Sequence, residues 1–242
     1  MIDQLHRHGI QLLRQLHAFG RILADHTAAL NVPVRKIFFL LLLQLLFNRF
    51  LLTVRNFQNC DAISEIVIVT REDLILPITG LCKGLNKVTA VVAGGKSRQE
   101  SVHLGLNALS EKIQLAAIHD GARPLITWQL IDRVVRAANT YGAAAPAIPV
   151  KDTIKVVEGR AVKETPDRST LFAVQTPQVF DFDLLRGALA KAEQDGAQIT
   201  DDCSAVERMG MVVKIVEGDE RNLKVTTPLD LKIAELLMEE AQ

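Results

Sequence analysis

Leu115-Ala116-Ala117-Ile118-His119-Asp120-Gly121-Ala122-Arg123-Pro124 is the stretch on which the reading of this chain turns. An apolar run fit for a strand buried on both faces stops at His119-Asp120, then passes through a small-residue turn to Arg123-Pro124. Open α/β sheets bind their ligands beyond the carboxyl ends of the strands. A carboxylate and a guanidinium delivered three residues apart at such an end fit a metal and phosphate site. The plainer alternative is a strand-to-helix turn in which Asp120 caps a helix and Arg123 is solvated.

Similar apolar runs recur on both sides. Glu65–Thr70, Val88–Ala93, Ala143–Val150 and Val212–Glu217 read as further strands. Between them Ser97–Ser110, Thr127–Thr140, Phe182–Gln194, Asp201–Met209 and Pro228–Glu239 carry helical patterns. The alternation predicts an α/β fold: a doubly wound, mostly parallel sheet covered on both faces. Asp152–Thr165 breaks it, alternating at period two around Glu158-Gly159, which predicts a hairpin. A lone hairpin is marginal in water, so a second subunit is its expected support.

The 242 residues suffice for one large domain with a small appendage. Net charge is zero and no basic block occurs, which argues against nucleic acid or a membrane surface as partner. Cys60, Cys82 and Cys203 are too far apart for a disulfide framework and fit a reducing, cytoplasmic setting. Composition shifts at the N-terminus: residues 1–56 hold no Glu and two Asp, yet four of six His and five of nine Phe. The apolar run Phe38–Phe47 is broken at Gln44 and followed by Asn48-Arg49. It is too short to span a membrane and too far in to be a signal peptide.

Polar residues gather at the element boundaries, where a doubly wound sheet collects its ligand groups. Gly94-Gly95-Lys96-Ser97-Arg98-Gln99-Glu100-Ser101 follows a strand and opens a helix. Its glycines permit close backbone approach, and a helix N-terminus favours negative charge. Thr153 starts the hairpin and Arg168 follows it; Gln175–Gln178 and Ile199–Asp202 precede helices; Asn222–Thr226 ends a short apolar run. Each has an ordinary reading too, with Thr200 or Thr226 as helix caps and Lys224 as a surface lysine.

Taken in order, these motifs resemble the 2-C-methyl-D-erythritol 4-phosphate cytidylyltransferases of the non-mevalonate isoprenoid pathway. The matching stretches are Gly94–Val102, His119–Pro124, Lys151–Lys155, Asp167–Phe172, Gln175–Phe180, Ile199–Asp202 and Asn222–Leu231. The resemblance implies a Rossmann-like nucleotidyltransferase fold and a homodimer clasped by a β-arm at about residues 151–170. It implies that CTP and methylerythritol phosphate react with Mg²⁺, releasing pyrophosphate. By the same resemblance Lys224 and Arg168 are catalytic, Lys224 at the α-phosphate and Arg168 reaching the sugar phosphate from the partner subunit with Thr153. Asp120, Arg123, Thr176 and Thr200 complete the acceptor pocket, with Asp120 also the Mg²⁺ ligand. Gly95, Lys96, Ser101 and Gly121 fall to the nucleotide.

One part departs from the pattern. Such enzymes open with a strand and a loop of the type L-A-A-G-x-G-x-R-M-G, then a lysine, which together cradle the triphosphate. Residues 1–56 hold only Gly9 and Gly20, with no Gly-x-Gly, and the register resumes near Thr53 and Phe57. Lys36 is out of step and takes no role. Residues 1–56 therefore read as an atypical segment, out-of-frame coding being favoured over a true replacement domain, and 57–242 as a cytidylyltransferase domain of impaired activity. Two other functions stay open: transfer to another polyol phosphate such as ribitol 5-phosphate, and a non-catalytic binding homodimer. Lys155 after Asp152-Thr153-Ile154, and the Asp167–Phe172 stretch, favour methylerythritol phosphate.

Overall fold

A computed structural model describes residues 50–240 apart from Glu111. The Phe38–Phe47 run, Lys36 and most of the atypical segment lie outside the described residues. The first described element is helix α1 (residues 50–58). It is followed by β1 (Ile66–Thr70), α2 (Ile75–Leu81), β2 (Val88–Ala93), α3 (Arg98–Asn107) and β3 (Leu115–Ile118). Next come α4 (Trp128–Tyr141), β4 (Ala143–Pro149), β5 (Val156–Glu158), β6 (Ala161–Glu164), β7 (Phe172–Val174) and β8 (Gln178–Asp181). The chain closes with α5 (Phe182–Gln194), α6 (Asp202–Glu207), β9 (Lys214–Glu217) and α7 (Pro228–Glu240).

The expected α/β architecture is present. Strand β8 runs antiparallel to both β3 and β4, and β9 runs parallel to β4, so β3, β4 and β9 point the same way. β7 and β8 run against them. Neither strand was expected from the sequence. Their three and four residues, split by Gln175-Thr176-Pro177, are too short to show a period.

The core follows strand alternation. Ala143 and Ala145 pack with Phe180, Leu185 and Leu189 beneath α5, whereas Ala144 packs with Val179, Leu130, Ile131 and Val134 beneath α4. Alanines on both faces of β4 let both helices approach closely. Helix α4 starts where the Leu130 amide donates to the Thr127 hydroxyl and ends at Gly142, whose φ of 81° demands glycine. The hairpin is present, but its turn lies at Gly159-Arg160, one residue later than the pattern suggested.

Among the described residues the sheet is in two pieces. β1 pairs only with β2, and β3 forms the border of the larger piece. Among the described residues β1 and β3 each keep one unpaired edge, and such edges invite pairing between chains. We expect light scattering of the full chain to rise steeply with concentration. A monodisperse dimer that melts cooperatively is the opposite outcome.

Candidate active site

The carboxyl end of β3 delivers His119, Asp120 and Gly121. The Asp120 carboxylate meets two cations through Oδ2, Lys224 Nζ at 3.1 Å and Arg123 Nε at 3.4 Å. Arg123 is not solvated: its side chain is 12% exposed and Nη1 donates to the Asn222 carbonyl at 2.7 Å. Asp120 caps no helix either. Its amide donates to Thr176 Oγ1 at 3.1 Å. The backbone after β9 is tied to the same turn, since the Val225 amide donates to the Ala122 carbonyl at 2.8 Å. Four expected residues, Asp120, Arg123, Thr176 and Lys224, thus form one bonded cluster.

Desolvation opposes the charge on Asp120, but the Lys224 ammonium and Arg123 guanidinium more than offset it and hold the carboxyl below its usual range. The carboxylate is therefore ionised at neutral pH. Half-buried beside two cations, it sets up a field suited to a phosphate dianion with its counter-ions.

His119 supports this cluster from behind. Thr176 Oγ1 lies 3.0 Å from His119 Nδ1, and Nε2 lies 3.5 Å from the Arg123 carbonyl. Because Thr176 Oγ1 accepts the Asp120 amide, its own hydrogen is free for Nδ1, which places the imidazole proton on Nε2. Phe57 packs on the ring at 4.8 Å between centroids. Burial pushes the imidazole down to about 4. A base depressed on folding stabilises the fold fully above its ordinary value of 6.5, and that contribution is lost as pH falls towards 4. We expect urea titrations to show a loss of about 3 kcal/mol over this window. The His119→Asn variant should lack that component; an unchanged pH profile would refute the assignment.

The Gly94–Ser101 loop is a second, separate group. Ser97 caps α3 by accepting the Glu100 amide at 3.0 Å. The Gly95 amide donates to Ser101 Oγ at 3.1 Å and the Lys96 amide to Glu100 Oε2 at 2.6 Å. A Cβ at Gly95 would displace the Glu100 side chain from this position. The loop amides are thus already satisfied, with a carboxylate seated where an anion would go.

Sequence reasoning missed the residues that dock this loop. Arg98 makes two bonds to Asp202, at 3.0 and 2.5 Å, and the Asp202 side chain is fully buried. Gln178 Oε1 accepts the Asp202 and Cys203 amides, and its Nε2 donates to Asp201 at 2.8 Å. The Thr200 loop, the Gly95 loop and the strand after Thr176 are thereby fixed together. Asp201, not Thr200, caps α6, and Thr200 is exposed. The cue lay in Ile199-Thr200-Asp201-Asp202, whose second aspartate has no capping use.

Thr153 and Arg168 sit apart, exposed on and beside the arm. Arg168 Nη1 donates to the Lys151 carbonyl at 2.7 Å. Among the described residues no hydrogen bond or ion pair joins either residue to the Asp120 cluster. Gly121 is exposed at the cluster's border, with the Phe50 ring where a Cβ on this residue would touch it.

A profile of the 2-C-methyl-D-erythritol 4-phosphate cytidylyltransferases matches residues 28–240. The chain belongs to this family. It is 44% identical over 194 residues to the cytidylyltransferase of that name from Caldanaerobacter subterraneus, covering 77% of this chain and 84% of the relative. The Geobacillus kaustophilus relative is 51% identical over 154 residues, covering 64% and 67%. Among solved structures, the 4-diphosphocytidyl-2C-methyl-D-erythritol synthase of Anaerococcus prevotii superposes with a TM-score of 0.75 at 29% identity, covering 79% of this chain and 86% of that one. The Thermus thermophilus cytidylyltransferase gives 0.68 at 36%, covering 78% and 87%. The cytidylyltransferase profile begins at residue 28, upstream of the position near 57 where the motifs place the resemblance. Among the described residues no helix is long and apolar enough to cross a membrane.

Proposed function

We propose that this chain joins CTP to 2-C-methyl-D-erythritol 4-phosphate, giving 4-diphosphocytidyl-2-C-methyl-D-erythritol and pyrophosphate, at a rate reduced by its atypical N-terminal segment. The observation that carries this is the Asp120–Arg123–Lys224 cluster beyond the end of β3, in a chain of this family. An acceptor phosphate oxygen attacks the α-phosphorus in line, the new P–O bond forming as the bond to pyrophosphate breaks. Such transfer needs positioning and charge neutralisation more than covalent chemistry. Lys224, 47% exposed beside Asp120, is the cation placed to turn to both phosphates. Arg123, anchored on Asn222, stays fixed.

Mg²⁺ fits the cluster in one way. Both cations bind Oδ2 of Asp120, which leaves Oδ1 for a metal, and no group of three potential ligands exists among the described residues. Magnesium commonly takes one or two carboxylates and completes its shell with phosphates and water. Asp120 would hold it, and the ion would supply charge neutralisation on the phosphates.

The arm supports a homodimer. Val156, Val157 and Val162 are 41%, 54% and 59% exposed on a two-stranded hairpin without a core of its own. A partner covering them would also receive Arg168 and Thr153. The acceptor is tested by chromatography of CTP reactions with methylerythritol phosphate or ribitol 5-phosphate. We expect a preference of about 10²-fold in kcat/KM for the first, the scale on which one pocket separates close analogues. Equal use of both would favour the broader polyol-phosphate reading.

A further inference from the structure

Asn222 stands two residues before Lys224, in the turn that follows β9, and it is fully buried. Its polar groups reach three separate parts of the chain. The carbonyl accepts from Arg123 Nη1 at 2.7 Å. Side-chain Nδ2 donates to the Thr176 carbonyl at 2.9 Å and, at 3.4 Å, to Gln175 Oε1. The main-chain amide donates to the Asp219 carbonyl at 2.9 Å and closes the turn. Lys224 is therefore carried on a short piece of chain anchored at both ends. Asn222 holds it on one side, and on the other the Val225 amide donates to the Ala122 carbonyl.

Gln175, just past β7, braces the same turn. Its Nε2 donates to the Asp219 carbonyl at 2.8 Å and its Oε1 accepts the Asp219 amide at 3.2 Å. One side-chain amide thus pairs with a main-chain residue as a neighbouring strand would. The approach is close: a Cβ on Gly218 would lie 2.7 Å from Gln175 Oε1 and 3.0 Å from the Ala147 carbonyl, and glycine permits it.

These partners also settle which way the Asn222 amide faces. Turned over, its oxygen would meet the Thr176 carbonyl and Gln175 Oε1, both acceptors. In the orientation present, Oδ1 has no hydrogen-bond partner among the described residues. A buried acceptor left unpaired costs stability, so packing alone does not account for an asparagine here. What the side chain contributes is its donor, and the donor ties the Lys224 turn to the residue next to the Asp120 amide.

We propose that Asn222 is a positioning residue for cytidylyl transfer, which fixes the Lys224 turn against Thr176 through Nδ2 and against Arg123 through its main-chain carbonyl. The inference rests on the cytidylyl-transfer reading above. Asn222 acts through Lys224, Arg123 and Thr176, the acceptor side of the site. The Gly95 loop is held by other bonds, from Arg98 to Asp202 and from the Asp202 amide to Gln178.

The test compares the full chain with Asn222→Asp, which keeps the shape but loses the donor, and with Asn222→Ala, which buries no charge. Product is followed from labelled CTP, and amide hydrogen exchange is followed without substrate. In both variants we expect KM for methylerythritol phosphate to rise and kcat to fall by about tenfold each, together the ~10²-fold that a misplacement of about 1 Å costs. KM for CTP should change little. Exchange at Val225 should quicken at least tenfold while α5 keeps its protection. A fall in kcat with both KM values unchanged would mean only that fewer molecules fold, and would overturn the proposal, as would unaltered kinetics. If the unaltered chain forms no product, the cytidylyl-transfer reading fails on its own account. The hold of Asn222 on the Lys224 turn is then decided by exchange at Val225, and unaltered exchange there overturns it.

Discussion

Pyrophosphate release from CTP and methylerythritol phosphate by this chain should run at least 10²- to 10³-fold below that of an ordinary enzyme of its kind, about the cost of one lost oxyanion-type donor. The reason begins in residues 1–56, where only Gly9 and Gly20 occur and no Gly-x-Gly can cradle a triphosphate. The second loop does not compensate, because the Gly95 and Lys96 amides are bonded to Ser101 and Glu100. Replacing residues 1–56 by the corresponding segment of the Thermus thermophilus relative should restore most of the rate. The check is a coupled pyrophosphate assay with Mg²⁺. Turnover of ~1–10 s⁻¹ by the unaltered chain would refute the claim of impairment.

In that restored chimaera, Arg168→Ala should cost about 2–5 kcal/mol in kcat/KM for methylerythritol phosphate, the range for losing a desolvated charge-assisted contact. CTP binding should hardly change. Arg168→Lys should rescue little, since an ammonium cannot reproduce the guanidinium fork. Lys224→Ala should instead depress kcat, its cation lying nearer the reacting centre. Mixed dimers test whether Arg168 acts across the interface. With Arg168→Ala on one subunit and Lys224→Ala on the other, the first subunit keeps its nucleotide half and meets an intact partner arginine, so about half the activity should remain. With both changes on one subunit, no site is complete. The reverse pattern would mean that Arg168 serves its own subunit.

The parts of the fold legible in the sequence were those with a strong local signal. Helix α5 begins and ends where the pattern places it, at Phe182 and Gln194, because its apolar residues recur at helical spacing. Strand β3 was legible because its apolar run stops abruptly at His119. Strands β7 and β8 were not, because three or four residues stabilised by pairing with β3 and β4 carry no period of their own. The Asp120, Arg123, Thr176 and Lys224 set was recognisable from its motifs. Its bonding was not, nor was the support from His119, Asn222 and Gln178.

By itself the sequence determined the α/β class, the family, and the absence of any glycine-rich loop within residues 1–56, since each depends on residue types and spacings along the chain. Only the tertiary structure decided that Asp120 holds Lys224 across 104 positions, that Arg98 pins Asp202, also 104 residues away, and that residues of β1 and β3 line one cavity. Contacts of that range follow from how the crossovers stack on the sheet. A chain read one neighbour at a time holds no record of which edges meet.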